Sequence, residues 1–229
     1  ATLTALNQFH RFNMRSGVPQ ESEYLRVISP FDFQTNGLLV VPDMEHEPNR
    51  VEQHTAEIIA YLDKHVNTAK GSLVLFSSRR QMEEVAKSLS AGLQEILLMQ
   101  GEQSKRVILD SHRASIDSGK GSLLLGLASF AEGVDLPGDY LTCVYIAKIP
   151  FSVPDDPVEA TLAEWIQKRG GNPFMEITIP DASLRMVQAT GRLLRSETDS
   201  GEIHILDKRL RTKRYGKQLI NSLPPYRYQ

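Results

Sequence analysis

Cysteine is almost missing from this sequence. Among 229 residues there is one, Cys143, which excludes an internal disulfide framework and a cysteine-held cluster within the chain and fits a reducing compartment. No apolar run is long enough to cross a membrane and no secretory signal is recognisable, so a cytoplasmic, membrane-free setting is expected. Neither sign of charge is in large excess: 26 Lys/Arg against 28 Asp/Glu give a net charge of −2, which argues against nucleic-acid binding through bulk charge. The phosphate-loop pattern Gly-x-x-x-x-Gly-Lys-[Ser/Thr] is absent, since Gly119-Lys120 is followed by glycine and lacks the earlier one. Gly-x-Gly-x-x-Gly is absent too, which disfavours an independent dinucleotide enzyme. The six histidines, His10, His46, His54, His65, His112 and His204, show no metal-ligand spacing. They are expected on the surface or in the core, with no metal held by this chain.

What is present begins with an ordinary globular composition, 41% hydrophobic and 24% charged, in a chain long enough for one large domain or two small ones. Its charge is unevenly placed. From Arg185 to the end there are ten Lys/Arg against four Asp/Glu, a balance of +6 that leaves −8 for residues 1–184. A basic C-terminal region on an acidic body is compatible with a local polyanion site. Within it lies Gln188-Ala-Thr-Gly-Arg-Leu-Leu-Arg-Ser196. Asp181 as N-cap, with Leu184, Val187, Gly191 and Leu194 at helical spacing, predicts an amphipathic helix over residues 182–196. On that helix Gln188, Arg192 and Arg195 fall at i, i+4 and i+7 and share one stripe. Two guanidiniums and a carboxamide on one rigid element suit a phosphate chain; an ordinary solvated helix face is the other reading. A glycine inside such a helix costs roughly 1 kcal/mol against alanine, so Gly191 asks for a reason such as close backbone packing.

In chain order, the sequence predicts a short helix over 5–15, strands over 25–31 and 37–41, and a long helix over 50–66. Gly71 to Ser78 is an apolar run of the buried parallel-strand type, passing straight into a helix that Ser78 and Gln81 open at capping-box spacing. Further strands are expected at 95–99, 122–127, 141–149 and 202–206, and helices at 104–117, 158–168 and 212–222. Strands alternating with helices imply an α/β fold with right-handed crossovers and a mostly parallel sheet covered on both faces. The longest irregular stretches, 128–140 and 169–181, are candidates for the working face at the carboxyl ends of the strands.

The first of these stretches offers Glu132, Gly133 and Asp135 within four residues, where acidic side chains beside glycine either serve a nucleotide or cap and turn the chain. Ser77 and Ser78, after Phe76, either cap the following helix or lend its exposed N–H groups to a nucleic-acid phosphate. Lys208, Arg209, Arg211, Lys213, Arg214 and Lys217 crowd ten residues, as a DNA track or as a solvated surface. Phe76, Phe130, Phe151 and Trp165 are candidate faces for base stacking or, alternatively, core residues.

Taken in order, Leu73-Val-Leu-Phe-Ser-Ser78, the Ala-Glu-Gly-Val-Asp-Leu within Gly126 to Gly138, and Gln188 to Ser196 resemble motifs IV, V and VI of superfamily 2 helicases. Glu-Gly-Val-Asp and Gly201-Glu-Ile-His-Ile-Leu-Asp-Lys-Arg-Leu210 resemble the DinG and XPD branch, and Thr212-Lys-Arg-Tyr-Gly216 with Ser222-Leu-Pro the bacterial DinG group. Ala1-Thr2-Leu3 resembles the tail of that family's motif III, and with no initiator methionine the chain reads as a cut from a longer protein. The resemblance implies that residues 1–18 connect to a missing first lobe and that 19–229 form a second, RecA-like three-layer α/β/α lobe. It implies a monomeric, ATP-dependent motor working 5′ to 3′ on single-stranded DNA in repair or replication, with ATP and Mg²⁺ shared with the first lobe. Any iron–sulfur cluster would belong to that first lobe. The resemblance makes Arg192 and Arg195 arginine fingers supported by Gln188, gives Glu132, Gly133, Asp135 and Gly191 to the nucleotide, and gives Phe76, Ser77, Ser78, Ser129, Phe130, Lys213 and Arg214 to DNA. A RecA-like domain that binds nucleic acid or a partner without turnover fits the same residues.

Overall fold

The computed structural model describes residues 3–19, 21–152 and 156–229; Ala1 and Thr2, the start of the motif III resemblance, lie outside them. In chain order the elements are α1 (His10–Ser16), α2 (Phe33–Asn36), β1 (Gly37–Val40), α3 (Val51–His65), β2 (Gly71–Phe76), α4 (Arg79–Ser88), α5 (Ala91–Gln94) and β3 (Leu97–Met99). They continue with α6 (Lys105–Asp117), β4 (Ser122–Leu127), α7 (Ala128–Ala131), β5 (Cys143–Ile146), α8 (Pro157–Lys168), α9 (Ile179–Thr190), β6 (Gly201–Ile205), α10 (Arg209–Thr212), α11 (Arg214–Ser222) and β7 (Arg227–Tyr228).

All strand pairs are parallel, in the order β3-β4-β2-β5-β6-β1-β7. The central strands read as unbroken apolar runs because both of their faces are covered. Alternate residues go to opposite layers: Leu73, Leu75, Leu124, Val144, Ile146, Ile203 and Ile205 meet α6, α9 and α11, whereas Val74, Phe76, Leu123, Leu125 and Tyr145 meet α3 and α4. The expected α/β sandwich with a parallel sheet is therefore observed. No helix among the described residues is long and apolar enough to cross a membrane.

Two expectations fail for reasons outside the local sequence. Residues 25–31 form no strand, and Leu25, Val27 and Ile28 are 85%, 79% and 91% exposed. A strand needs a partner, and the free edge of β1 is already taken by β7 through Leu38↔Arg227 and Leu39↔Tyr228. Residues 169–181 are not a loop either: a π-helical turn, Phe174–Thr178, runs directly into α9.

The N-terminal residues are fastened to the body by one buried cation. Arg11, 4% exposed, donates to Asp181 through Nε at 2.7 Å and to both oxygens of Glu159 through Nη2. Nearby, the Leu6 amide donates to Ser183 Oγ at 3.0 Å and the Ser183 hydroxyl to Ser222 Oγ at 2.8 Å. Arg11→Met leaves Asp181 without its cation and Glu159 with only the exposed Arg15, 3.4 Å away, and should lower stability by about 3 kcal/mol. Adding Glu159→Gln and Asp181→Asn should recover part of that loss. Urea unfolding of the three variants checks this, and a wild-type midpoint for Arg11→Met would refute it.

Candidate functional site

A cleft of about 490 Å³ opens at the carboxyl ends of β2, β4 and β5. The sheet delivers Phe76 and Ser77 from the end of β2, Ala128, Ser129 and Glu132 from the turn after β4, and Lys148 and Phe151 from beyond β5. Helix α9 adds Arg185 and Gln188, and the turn after it adds Arg192. The three motif regions, far apart in sequence, thus meet at one opening, where ligands bind in open α/β sheets.

The cleft is cationic. Lys148, Arg185 and Arg192 line it against the single acid Glu132, and none of the three makes an ion pair among the described residues. Arg192 donates from Nη1 to the Val134 carbonyl at 3.1 Å, while its buried Nε has no partner. Burial, then the charge of neighbouring Arg195, lowers its pKa, although a guanidinium stays protonated throughout the physiological range. The Lys148 ammonium is likewise held below its usual range by burial and then by Arg209, with Asp207 acting in the opposite sense. A charged donor kept dry and unpaired is costly unless something anionic satisfies it. Lys148 was not anticipated from sequence, where it ends an apolar run that reads only as a strand.

The arginine segment differs from the expected helix. Helix α9 stops at Thr190, Asp181 lies inside it and not at its cap, and Gly191 is its C-cap, its amide bonding the Val187 and Ala189 carbonyls. Beyond it the chain turns to bury Leu193 and Leu194, at 0% and 3% exposure. The shared stripe of Gln188, Arg192 and Arg195 is therefore absent, because only Gln188 is helical. Arg195 points away from the cleft lining and donates from Nε to Asp135 Oδ1 at 2.7 Å. The turn is fixed by Asp199, 4% exposed, which accepts from the amides of Arg195 at 2.7 Å, Ser196 at 2.9 Å and Gly138 at 3.0 Å, and from the Ser196 hydroxyl.

The other candidates divide. Gly133 has φ +70, a left-handed conformation that glycine adopts without strain, and Glu132 is exposed, its carbonyl accepting from Lys105 Nζ. Phe76 and Phe130 are 1% and 3% exposed, so their rings are core residues and offer bases no face. Ser77 and Ser129 are exposed at the cleft. Ser78 caps α4, accepting from the Gln81 amide at 3.4 Å, but no capping box closes: the Gln81 side chain donates instead to Thr55 Oγ1 at 3.1 Å. Of the basic cluster, Lys213 pairs with Glu47 at 2.8 Å, Arg209 with buried Asp207 at 2.7 Å, and Lys208 and Arg211 donate to the carbonyls of Glu45 and Val41. Arg214 and Lys217 have no side-chain partner among the described residues. The available aromatic faces are elsewhere: Phe151, which lines the cleft, clusters with Phe174 and Tyr215, centroids 5.4–6.0 Å apart, with the Arg209 guanidinium 5.0 Å from the Phe151 ring.

Burial alone would raise the Asp199 carboxyl, but its hydrogen bonds from Ser196, Arg195 and Gly138 hold it below the ordinary 3.8. A lowered folded-state pKa contributes stability that is present above 3.8 and is lost as pH falls through the folded value. Asp199→Asn should therefore cost about 2 kcal/mol near neutral pH. The gap from wild type should narrow as pH drops below about 4. Denaturant unfolding of both proteins across that range checks it; a pH-independent gap would contradict it.

The sequence profile described as the helicase C-terminal domain matches residues 62–226. The chain is similar to the ATP-dependent DNA helicase DinG of Photobacterium profundum, 45% identical over 232 residues that cover 99% of this chain and 33% of that protein. Its likeness to the ATP-dependent DNA helicase DinG of Escherichia coli is 41% over the same length, 99% of this chain and 32% of the relative. The chain thus spans about a third of the length of the curated relatives it matches. Among solved structures, one described as an XPD helicase superposes with a TM-score of 0.59 at 18% identity, covering 85% of this chain and 35% of that one. S. tokodaii Xpd4 does so with 0.61 at 17%, covering 93% and 42%. The fold is that of these helicase lobes, and the chain belongs to the helicase C-terminal domain family, on its DinG side.

Proposed function

We propose that this chain is the second motor lobe of a cytoplasmic, ATP-dependent 5′ to 3′ DNA helicase, supplying charge to a nucleotide held mainly by a preceding lobe and part of a single-stranded DNA track. The observation that carries this reading is the meeting of Gln188, Arg192, Lys148 and Glu132 at one cationic cleft, with the Arg192 Nε dry and unpartnered. That donor set fits a polyphosphate, whereas Glu132 alone at the cleft does not make a Mg²⁺ site. Mg²⁺, the phosphate loop and residues 1–18 as a connection then belong to the first-lobe side of the reading. Phosphoryl transfer depends on positioning and charge stabilisation, so a lobe carrying only cations makes turnover contingent on closure. In this reading Arg192 is the finger, Gln188 holds the nucleotide beside it, and Gly191 lets the chain leave α9 where Arg192 must turn inward. Arg195 reaches the phosphates by exchanging its Asp135 partner, and Glu132, Gly133 and Asp135 link that exchange to DNA.

For DNA, Ser77, Ser78 and Ser129 supply hydroxyl and amide donors to the backbone, with Arg214 and, after release from Glu47, Lys213. Base stacking passes from Phe76 and Phe130 to the Phe151, Phe174 and Tyr215 cluster, of which Phe174 is 40% exposed.

The chain alone should release no phosphate from ATP above background, with or without single-stranded DNA. In the longer polypeptide, Arg192→Ala should lower turnover by about 10³-fold or more. Nucleotide affinity should stay within about tenfold, and lysine should rescue poorly for lack of a planar fork. Steady-state kinetics with melting curves tests this, and wild-type turnover in a normally folded Arg192→Ala would end the assignment.

A second prediction concerns the track. The chain should bind a labelled single-stranded oligonucleotide weakly, and Lys213→Ala or Arg214→Ala should each reduce the slope of log affinity against log salt by about 0.7. Phe174→Ala should lower affinity without changing that slope. Fluorescence anisotropy over a salt series decides it; unchanged affinity and slope in all three variants would move the DNA to another surface.

A further inference from the structure

The amino ends of the strands, opposite the cationic cleft, carry a second constellation. Register places Ser72 of β2, Cys143 of β5 and Glu202 of β6 side by side, and two residues further Tyr145 pairs with His204. With a side-chain period of two, all five project from the same face, the one covered by Tyr61 and His65 of α3. The Cys143 sulfur, a Glu202 carboxylate oxygen and a His204 ring nitrogen all lie within 4.8 Å of one another. His204 Nε2 is 3.0 Å from Glu202 Oε2, and its Nδ1 is 2.8 Å from the Tyr61 hydroxyl. The ring is further held by stacking on Tyr145, centroids 4.8 Å apart and 24° from parallel.

A separate observation bears on the same place. Ser72 Oγ, in a residue 1% exposed, has no hydrogen-bond partner, and together with Cys143 and Glu202 it lines a cleft of about 420 Å³ that opens to solvent. A buried hydroxyl without a partner is uncommon in folded proteins.

We propose that Cys143, Glu202 and His204 bind a borderline divalent cation of the Zn²⁺ class, with the fourth position taken by water held against Ser72. A thiolate, an imidazole and a carboxylate are the donors such an ion prefers, whereas Mg²⁺ and Ca²⁺ ask for oxygen alone. The Tyr61 hydroxyl is the supporting partner: with the metal on Nε2, the imidazole carries its proton on Nδ1 and donates it to the Tyr61 oxygen. On binding, the Cys143 thiol loses its proton to solvent, and two anionic ligands balance the charge of the cation. The site would clasp β5 to β6 beneath α3, at the end of the sheet away from the phosphate-binding residues.

The test uses the tag-free, metal-stripped chain titrated with Co²⁺ as a spectroscopic probe and then with Zn²⁺. Expected are one equivalent of Co²⁺, a sulfur-to-cobalt charge-transfer band, visible bands of four-coordinate intensity, displacement by Zn²⁺ and a higher melting temperature with Zn²⁺. Cys143→Ser should abolish the charge-transfer band. Glu202→Gln, at a position 53% exposed and tolerant of change, should keep the band but weaken affinity by at least about tenfold. Absence of a charge-transfer band at stoichiometric Co²⁺ would overturn the proposal, as would unchanged affinity in Glu202→Gln. Should Cys143→Ser fail to fold, the wild-type band and the Glu202→Gln titration still decide.

Discussion

Burial of the central strands on both faces is the constraint from which the rest of the structure follows. Every residue of β2 and nearly every residue of β4 is buried, and Leu73, Val74, Leu123, Leu124, Leu125 and Val144 have no exposure at all. Beyond Ser72 and Ser122 at their amino ends, β2 and β4 carry no polar side chain, because burying an unpaired polar group is costly. Polar side chains of the central strands therefore gather mainly at their ends. At the carboxyl ends the chain gathers Ser77, Ser129, Lys148 and Arg192; at the amino ends it gathers Ser72, Cys143 and Glu202.

The same constraint explains which parts were legible in the sequence. Apolar runs such as 71–76 and 122–127, short and each entered through glycine and serine, announce strands buried on both faces, and the amphipathic helices over 51–65 and 105–117 follow from spacing. Residues 25–31 carry an equally suggestive pattern, yet pairing is decided by a competitor, two residues of β7 at the far end of the chain. No local signal reports that competition.

At the cleft, motif order was legible and geometry was not. Gln188, Arg192 and Arg195 have helical spacing, but spacing is silent on where a helix stops. The stop is imposed from outside by Asp199, which draws the amides of Arg195 and Ser196 into a turn, and by Leu193 and Leu194, which must both reach the core. Phe76 and Phe130 failed as stacking faces for a related reason: a residue at a strand end can point either way, and the neighbouring layer decides. Lys148, and the grouping of Cys143 with Glu202 and His204, were invisible because strand register, a long-range property, brings such residues together.

The Arg11 clasp has a mechanical consequence. Its two carboxylates sit on α8 and in the first turn of α9, while Arg185 and Gln188 stand further along α9 and Arg192 just past its end. A helix of twelve residues is a rod of about 18 Å that does not bend easily. The ion pairs thus tie residues 3–16 to the start of the same rod that carries Arg185 and Gln188 and, just past its end, Arg192. The attachment of the N-terminal segment and the placement of the cleft's cations therefore rest on one helix, so that displacing its first turn displaces both.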